Sequence, residues 1–391
     1  MIPIVGKFLR IAFVSFEYPP NVQGGAGVYA FNITQELSKL GHDVVVFTPK
    51  IGEVDEEEQI AENLKIKRIK IDTIIPLKAF QFWLNLPGVF RKTENKFDVI
   101  HFNGISYWFL KKKISIAPHI VTIHHLVTDA IKNNNLSLIS RIKDIRGENN
   151  LILPFIEKRC VNCADRIIAV SEYTKNRIID EHSIMSSKIS VIYNGIDLNG
   201  NSFSKEELEK VKEQFNIKKP TILFVGRIDD PRKNLNLLLE NLKKVLEKID
   251  AVLLIIGKGD QKDIRKNAKL LGISNNIIIA GFVDDITLKK CYKICDVYVC
   301  TSRLEGFGMT ILEAMFAEKP IVATNVGAIP EIIGNYGTLV NLQDNDAISN
   351  AIINILSAKK NNKYIYNDMI NRYSWNTATK KLLEIYGAFN E

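Results

Sequence analysis

The chain has 391 residues, of which 46% are hydrophobic and 25% charged, the composition of a soluble globular protein of about two or three domains. Its 52 Lys and Arg against 44 Asp and Glu give a formal net charge of +8, a mild basic bias that suits an anionic small substrate, an anionic membrane surface or simple solubility and selects none of them. No run of about 18 apolar residues is present to cross a membrane, residues 1–10 carry too short an apolar run for a signal peptide, and the five cysteines have no framework spacing, so neither a membrane span nor a disulfide scaffold is expected.

The first half alternates short β-branched runs with helical patterns. Residues 9–16 read as a buried strand, 26–40 as an amphipathic helix that Gly41 is placed to end, and 43–48 as the next strand. Further strands are expected at 66–71, 98–102, 119–124, 166–170 and 189–193. Cys160 and Cys163 fall late in a helix before Ala164-Asp165; with no second pair and no strand-to-helix redox setting they read as packing residues, at home in a reducing cytosol. A turn-rich stretch at 194–202 then restarts the pattern: a charged helix at 204–215, then strands at 221–225, 251–256, 277–280, 296–301 and 320–324, with helices between.

Near-continuous apolar strands separated by helices imply parallel sheets covered on both faces. The fold class is α/β, with two doubly wound domains facing across a cleft and a linker near 195–203. Ligands of such sheets bind beyond the carboxyl ends of the strands, so the loops after the strands are where chemistry is sought.

Three of these loops stand out. Residues 17–27 hold Gly24, Gly25 and Gly27 just before a helix, where free N–H groups suit a phosphate; a tight turn would use the same residues. Residues 225–234 hold Arg227 and Lys233 on either side of Pro231, two cations that suit a diphosphate unless the loop is simply solvated. Asp229 and Asp230 read as local partners of Arg232 and Lys233 rather than metal ligands. Residues 302–313 place Gly306 and Gly308 around Phe307, a helix start near Met309, and two carboxylates, Glu305 and Glu313. A carboxylate accepts well from vicinal hydroxyls, so the pair could hold two sugars; the alternative is a turn residue and an exposed helix residue.

Taken together, these loops resemble glycosyltransferase family 4 of the GT-B fold. The E-x7-E motif is met by Glu305 and Glu313, R-x5-K by Arg227 and Lys233 within G-R-x-x-x-x-K-N, and G-G-x-G by Gly24 to Gly27. T-x-H is met by Thr122 to His124, and the approach to the hinge by Ala164-Asp165, Val170-Ser171 and Asn194 to Asp197. The ordered set spans nearly the whole chain.

The resemblance implies two Rossmann-like domains: an acceptor-binding domain of residues 1–198, joined by a returning helix at 374–391 that includes Trp375, and a donor-binding domain of residues 199–373. It implies a retaining, metal-independent transfer of a sugar from a nucleoside diphosphate sugar, with no cofactor. By resemblance Glu313 holds the donor ribose hydroxyls and Glu305 contacts the donor sugar. Gly306, Phe307, Gly308, Met309 and Thr310 line the sugar and phosphate pocket. Arg227 and Lys233 neutralise the leaving diphosphate, Gly24 and Gly25 approach it from the other domain, and His124 lies near the donor sugar; His125 stands where many relatives carry Asp or Gly.

Residues 74–92 mix aromatics with basic residues, and Lys111 to Lys113 follow. They suit either peripheral membrane contact or a core helix with solvated lysines. The expected location is the cytoplasm, with room for contact at the inner face of the membrane. A GT-B sugar-nucleotide epimerase and a sugar-nucleotide binding protein without turnover are the competing readings. Nucleic-acid binding is not expected, since no basic stripe or known motif is present.

Overall fold

The computed structural model describes residues 8–22, 24–72, 78–92, 97–105, 117–133, 153–197, 202–344, 346–358 and 372–389. The chain divides into two compact units, Met1–Gly195 with Asn371–Glu391, and Ile196–Ile370. Both divisions fall a few residues ahead of those read from the sequence; part of the expected linker, residues 198–201, lies outside the described residues.

The first unit is built on β1 (Arg10–Ser15), β2 (Asp43–Lys50), β3 (Glu57–Ala61), β4 (Leu64–Lys70), β5 (Val99–Asn103), β6 (His119–Ile123), β7 (Arg166–Ala169) and β8 (Ile189–Val191). They form one sheet in the order β3-β4-β2-β1-β5-β6-β7-β8, parallel except for β3 on β4. The second unit carries β9 (Thr221–Val225), β10 (Val252–Ile256), β11 (Ile277–Gly281), β12 (Val297–Cys300), β13 (Ile321–Thr324) and β14 (Thr338–Val340) in the parallel order β11-β10-β9-β12-β13-β14. The central strands β1, β5 and β9 are buried on both faces, as their unbroken apolar runs require.

Two strands escape the sequence reading. All five residues of β3 are exposed, and the strand is held to β4 by charge, with Glu57 pairing to Lys65 and Lys67 and Glu58 to Arg68; it has no apolar face to announce it. The three-residue β14 is too short to show a period.

One device recurs at the amino ends of the sheets. Asp98, Asp165 and Asp296 each stand just before a strand, and each accepts through its side chain from the first N–H of the neighbouring strand: Arg10 at 2.8 Å, His119 at 2.8 Å and Thr221 at 2.7 Å. Each aspartate's own N–H returns a bond to the carbonyl of the same partner. This two-way lock fixes register, and it gives Asp165 of the Ala-Asp motif a structural role far from the carboxyl ends of the strands.

Helix Gly25–Lys39 ends as expected, with Gly41 left-handed at φ 93° and the His42 N–H closing back on Leu37. Helix Lys78–Lys92 buries Phe82, Trp83, Leu86 and Phe90 in the core of the first unit and exposes Leu84. Most of its aromatics therefore pack inward; residues 73–77 and Lys111 to Lys113 lie outside the described residues. Among the described residues no helix is long and apolar enough to cross a membrane.

The last helix, Trp375–Gly387, belongs to the first unit and begins at Ser374, whose hydroxyl accepts from the Thr377 N–H. Trp375 packs edge-on to Tyr29, and the Tyr386 hydroxyl meets Nδ1 of His101 on β5. The helix start comes so close to Gly195 that a Cβ there would stand 2.2 Å from the Trp375 nitrogen.

Candidate functional site

In the second unit the loops after β9, β12 and β13 converge on one ion pair. Asp230 caps the short turn Pro231–Lys233 by accepting from the Arg232 N–H, and its carboxylate also takes the Arg232 guanidinium at 2.9 Å. Arg232 is thereby committed locally, as expected. Lys233 is not: its ammonium reaches across to Glu305 Oε1 at 2.5 Å, a correction to the local pairing read from the sequence. Thr301 donates to the Lys233 carbonyl at 3.0 Å, and Ser302 donates to the same Glu305 oxygen at 2.8 Å.

Burial opposes the charge on Lys233, but the Glu305 carboxylate together with Cys300 and Asp230 outweighs it, so the ammonium holds its proton more firmly than a free lysine. The Glu305 backbone is braced as well. The Ala328 N–H donates to its carbonyl at 2.9 Å, and Gly327, left-handed at φ 58°, lies so near that a Cβ would come 2.2 Å from that oxygen.

Gly306 and Phe307 are buried, and Gly308 adopts φ 99° as the cap of helix Met309–Phe316. Only glycine takes this angle readily. The Ile311 and Leu312 amides close on the Gly308 carbonyl, which leaves those of Met309 and Thr310 ahead of the first turn. Glu313 follows one turn on. It is partly buried rather than the exposed helix residue that one reading allowed, and its Oε2 accepts from the Tyr292 hydroxyl at 2.8 Å. Burial pushes its carboxyl up to about 7 against the pull of Tyr292, Lys289 and Lys233. Arg227 stands apart, half-exposed, with its Nε 3.6 Å from Asp229. Asp284 caps helix Asp285–Ile294 by accepting from the Thr287 N–H.

In the first unit a polar chain links the carboxyl ends of β1, β5 and β6. Asn103 donates to Ser15 Oγ at 3.0 Å and to the Ala26 carbonyl at 2.9 Å, which leaves its Oδ1 as the acceptor for His124 Nε2 at 2.7 Å. The His124 proton therefore sits on Nε2, and Nδ1 carries a lone pair. Burial, aided by the neighbouring His125, pulls the His124 pKa down to about 3, so the ring is a neutral acceptor at physiological pH. Tyr29 packs edge-on to this ring 5.1 Å away and bonds Thr122, which in turn meets His101 Nε2 at 2.7 Å.

Glu17 Oε2 accepts from the Gly24 N–H at 3.0 Å, and Gly25 opens the helix. At Gly24 the backbone is extended, with φ −159°, and a Cβ would meet nothing within 4 Å. Neither conformation nor packing calls for glycine there.

The sequence reading thus named Lys233, Glu305, Glu313 and His124 but missed Asn103, Ser302 and Tyr292 as their partners. Asn103 is the polar residue that ends an otherwise apolar strand, a signal that could have found it. Tyr292 lies inside an amphipathic helix, where an aromatic reads as core.

Residues 23–199 match the model of glycosyltransferase family 4, and residues 205–372 match that of glycosyl transferases group 1. The chain is 29% identical to an uncharacterized glycosyltransferase of Methanocaldococcus jannaschii over 97% of its own length and 98% of the other's. It is 27% identical to the phosphatidyl-myo-inositol mannosyltransferase of Mycolicibacterium smegmatis, over 97% and 93%. Among solved structures it is similar to sucrose-phosphate synthase from Thermosynechococcus elongatus, with a TM-score of 0.81 at 22% identity over 97% and 98% of the two chains. It is also similar to Anabaena HepE in complex with UDP and glucose, with a TM-score of 0.74 at 18% identity over 97% and 100%. With both units matched by their family models and the GT-B fold shared with these structures, the chain belongs to the family 4, group 1 glycosyltransferases and is a glycosyltransferase.

Proposed function

We propose that this glycosyltransferase moves a sugar from a nucleoside diphosphate sugar to a glycan, lipid-linked or small-molecule acceptor. The transfer retains the anomeric configuration and uses neither metal nor cofactor. The observation that carries the reading is the convergence, at the carboxyl ends of the second unit's strands, of the Lys233–Glu305 pair, the Glu313 carboxylate and the helix start at Gly308.

Each part has a role in the chemistry. Glu313 takes the vicinal hydroxyls of the donor ribose and Glu305 those of the sugar that moves, while Gly306, Phe307, Gly308, Met309 and Thr310 shape the pocket for phosphate and sugar. Breaking the anomeric bond develops an oxocarbenium-like sugar and an anionic diphosphate. Arg227 and Lys233 oppose that charge, and preorganised donors of this kind each contribute about 100-fold to 1,000-fold in rate. His124, neutral and with Nδ1 as acceptor, takes a hydrogen bond from a sugar hydroxyl instead of supplying a proton. Gly24 and Gly25 belong to the same step. Glycine at Gly24 serves nothing in the protein's own packing, which favours close approach of a ligand. The complex of HepE with UDP and glucose supports a nucleoside diphosphate donor here.

The enzyme acts in the cytoplasm. Contact with the inner face of the membrane fits the basic charge and the exposed Leu84, and it predicts salt-sensitive sedimentation with anionic vesicles.

The test is melting temperature against UDP, GDP, ADP and their sugars without metal. A ligand at about 100 times its dissociation constant stabilises by about 2.7 kcal/mol. A selective rise identifies the donor, and product analysis must then find a new glycoside. An epimerised donor, or no rise with any nucleotide, contradicts the proposal.

A further inference from the structure

Tyr292 is 2% exposed, on helix Asp285–Ile294, and its hydroxyl lies 2.8 Å from Glu313 Oε2 and 3.2 Å from the Thr310 carbonyl. A phenol has one proton to give, and the shorter contact, to the charged acceptor, takes it. A second buried tyrosine, Tyr298, packs 5.7 Å away and donates to Thr310 Oγ1 at 2.7 Å, so both tyrosines anchor the first turns of helix Met309–Phe316. Space-filling alone would be met by phenylalanine; what the hydroxyl adds is its bond to the carboxylate, beside the longer contact to the Thr310 carbonyl.

We propose that Tyr292 is a positioning residue for nucleotide binding, holding the Glu313 carboxylate with Oε2 committed and Oε1 available, in the charge state that a vicinal diol requires. The inference rests on the reading that Glu313 takes the ribose hydroxyls. An ionised carboxylate accepts from both hydroxyls of a diol, whereas its protonated form must donate one O–H and accepts less well.

Glu313 sits where this matters. Burial lifts its carboxyl to about 7, Asp285 pushes the same way, and the Tyr292 hydroxyl, Lys289 on the same helix and Lys233 from the turn after β9 pull it down. Tyr298, Glu305 and the buried thiols of Cys295 and Cys300 complete the titratable groups around the two tyrosines. Removing the Tyr292 hydroxyl takes away a bond that favours the ionised form. The carboxyl then rises further and is largely protonated at neutral pH.

The experiment measures the affinities of UDP, GDP and ADP, each beside its 2′,3′-dideoxy counterpart, by calorimetry from about pH 6 to about pH 9. The ratio within each pair reports the diol alone, because phosphate ionisation is common to both members. In the wild type the ratio for the nucleotide that binds is roughly tenfold or more at high pH and falls as pH drops through about 7. Tyr292→Phe moves that midpoint to higher pH, lowering the ratio several-fold at neutral pH while leaving it near wild type at the alkaline end. Replacing Tyr292 by 3-fluorotyrosine, which keeps the ring and strengthens the donor, moves the midpoint the other way and serves as the second variant if phenylalanine impairs folding. Glu313→Gln flattens the pH dependence. If the midpoint stays put in both Tyr292 variants while Glu313→Gln removes the dependence, Tyr292 only fills space and the proposal fails alone. If Glu313→Gln leaves the profile unchanged, or the wild type binds none of the three nucleotides, the ribose reading fails and takes the proposal with it.

Discussion

The ammonium of Lys233 lies 2.5 Å from Oε1 of Glu305, although 72 positions separate the two residues in the chain. Both side chains are largely buried, 22% and 12% exposed, so neither charge has much water to fall back on. The lysine of R-x5-K and the first glutamate of E-x7-E are therefore one electrostatic unit, while Arg227 stands apart beside Asp229.

That coupling predicts non-additive substitutions. Lys233→Ala and Glu305→Ala should each lower kcat/KM by about 100-fold to 1,000-fold. Each also leaves a buried charge without its partner, so the double substitution should cost much less than the product of the singles. A double-mutant cycle on turnover and on chemical unfolding checks this; strict additivity in both would separate the two residues.

The glycines divide by cause. Gly24→Ala should leave the melting temperature unchanged within the equivalent of about 0.5 kcal/mol, since the added methyl meets nothing, yet it should weaken nucleoside diphosphate binding or turnover. Gly327→Ala and Gly195→Ala should destabilise by about 1–3 kcal/mol or more, because the methyl would strike the Glu305 carbonyl or the Trp375 backbone. Calorimetric melting of the three variants beside activity distinguishes ligand approach from packing.

His101 and His124 make the first unit acid-sensitive. Burial holds both near pKa 3 in the fold, against 6.5 for a free histidine. The unfolded chain therefore binds more protons throughout that window. The stability is fully present above about pH 6.5 and falls as pH drops toward 3, by at most ~1.4 kcal/mol per pH unit for each ring. Urea midpoints between about pH 7 and 5 should fall in the wild type relative to His101→Asn, since Glu313, raised to about 7 and working in the opposite direction over this range, is common to both proteins. Over the same range activity should show no titration of His124.

A further test concerns the loop after β6. Glu157, fully buried, accepts from the Val127 N–H at 2.5 Å and bonds His182 Nε2 at 2.9 Å, tying three helices together just beyond His124. Glu157→Ala should cost about 2–6 kcal/mol in chemical unfolding, because it leaves two buried hydrogen-bonding groups without their acceptor. Glu157→Gln keeps an acceptor and should cost clearly less. Equal losses for the two would assign the effect to volume.

Much of the candidate site in the second unit is legible in the order of residues along the chain. Glu305, Glu313, Arg227 and Lys233 sit just after apolar strands, where a parallel sheet delivers its loops, and Gly308 marks a left-handed helix start. The partners are not legible there. Nothing in the spacing of Tyr292 separates it from a core aromatic, and β3, wholly exposed, carries no apolar pattern.

The sequence by itself determined the strand and helix alternation, the restart that makes two units, and the family, because these follow from local periodicity and from motifs in fixed order. Only the tertiary structure decided that Lys233 answers Glu305 rather than Asp230, that Asn103 sets the tautomer of His124, and that Tyr292 reaches Glu313. Such pairings join residues far apart in the chain, and burial sets their charge states. Both depend on which loops the sheet brings side by side, a fact that exists only once the strands have taken their order.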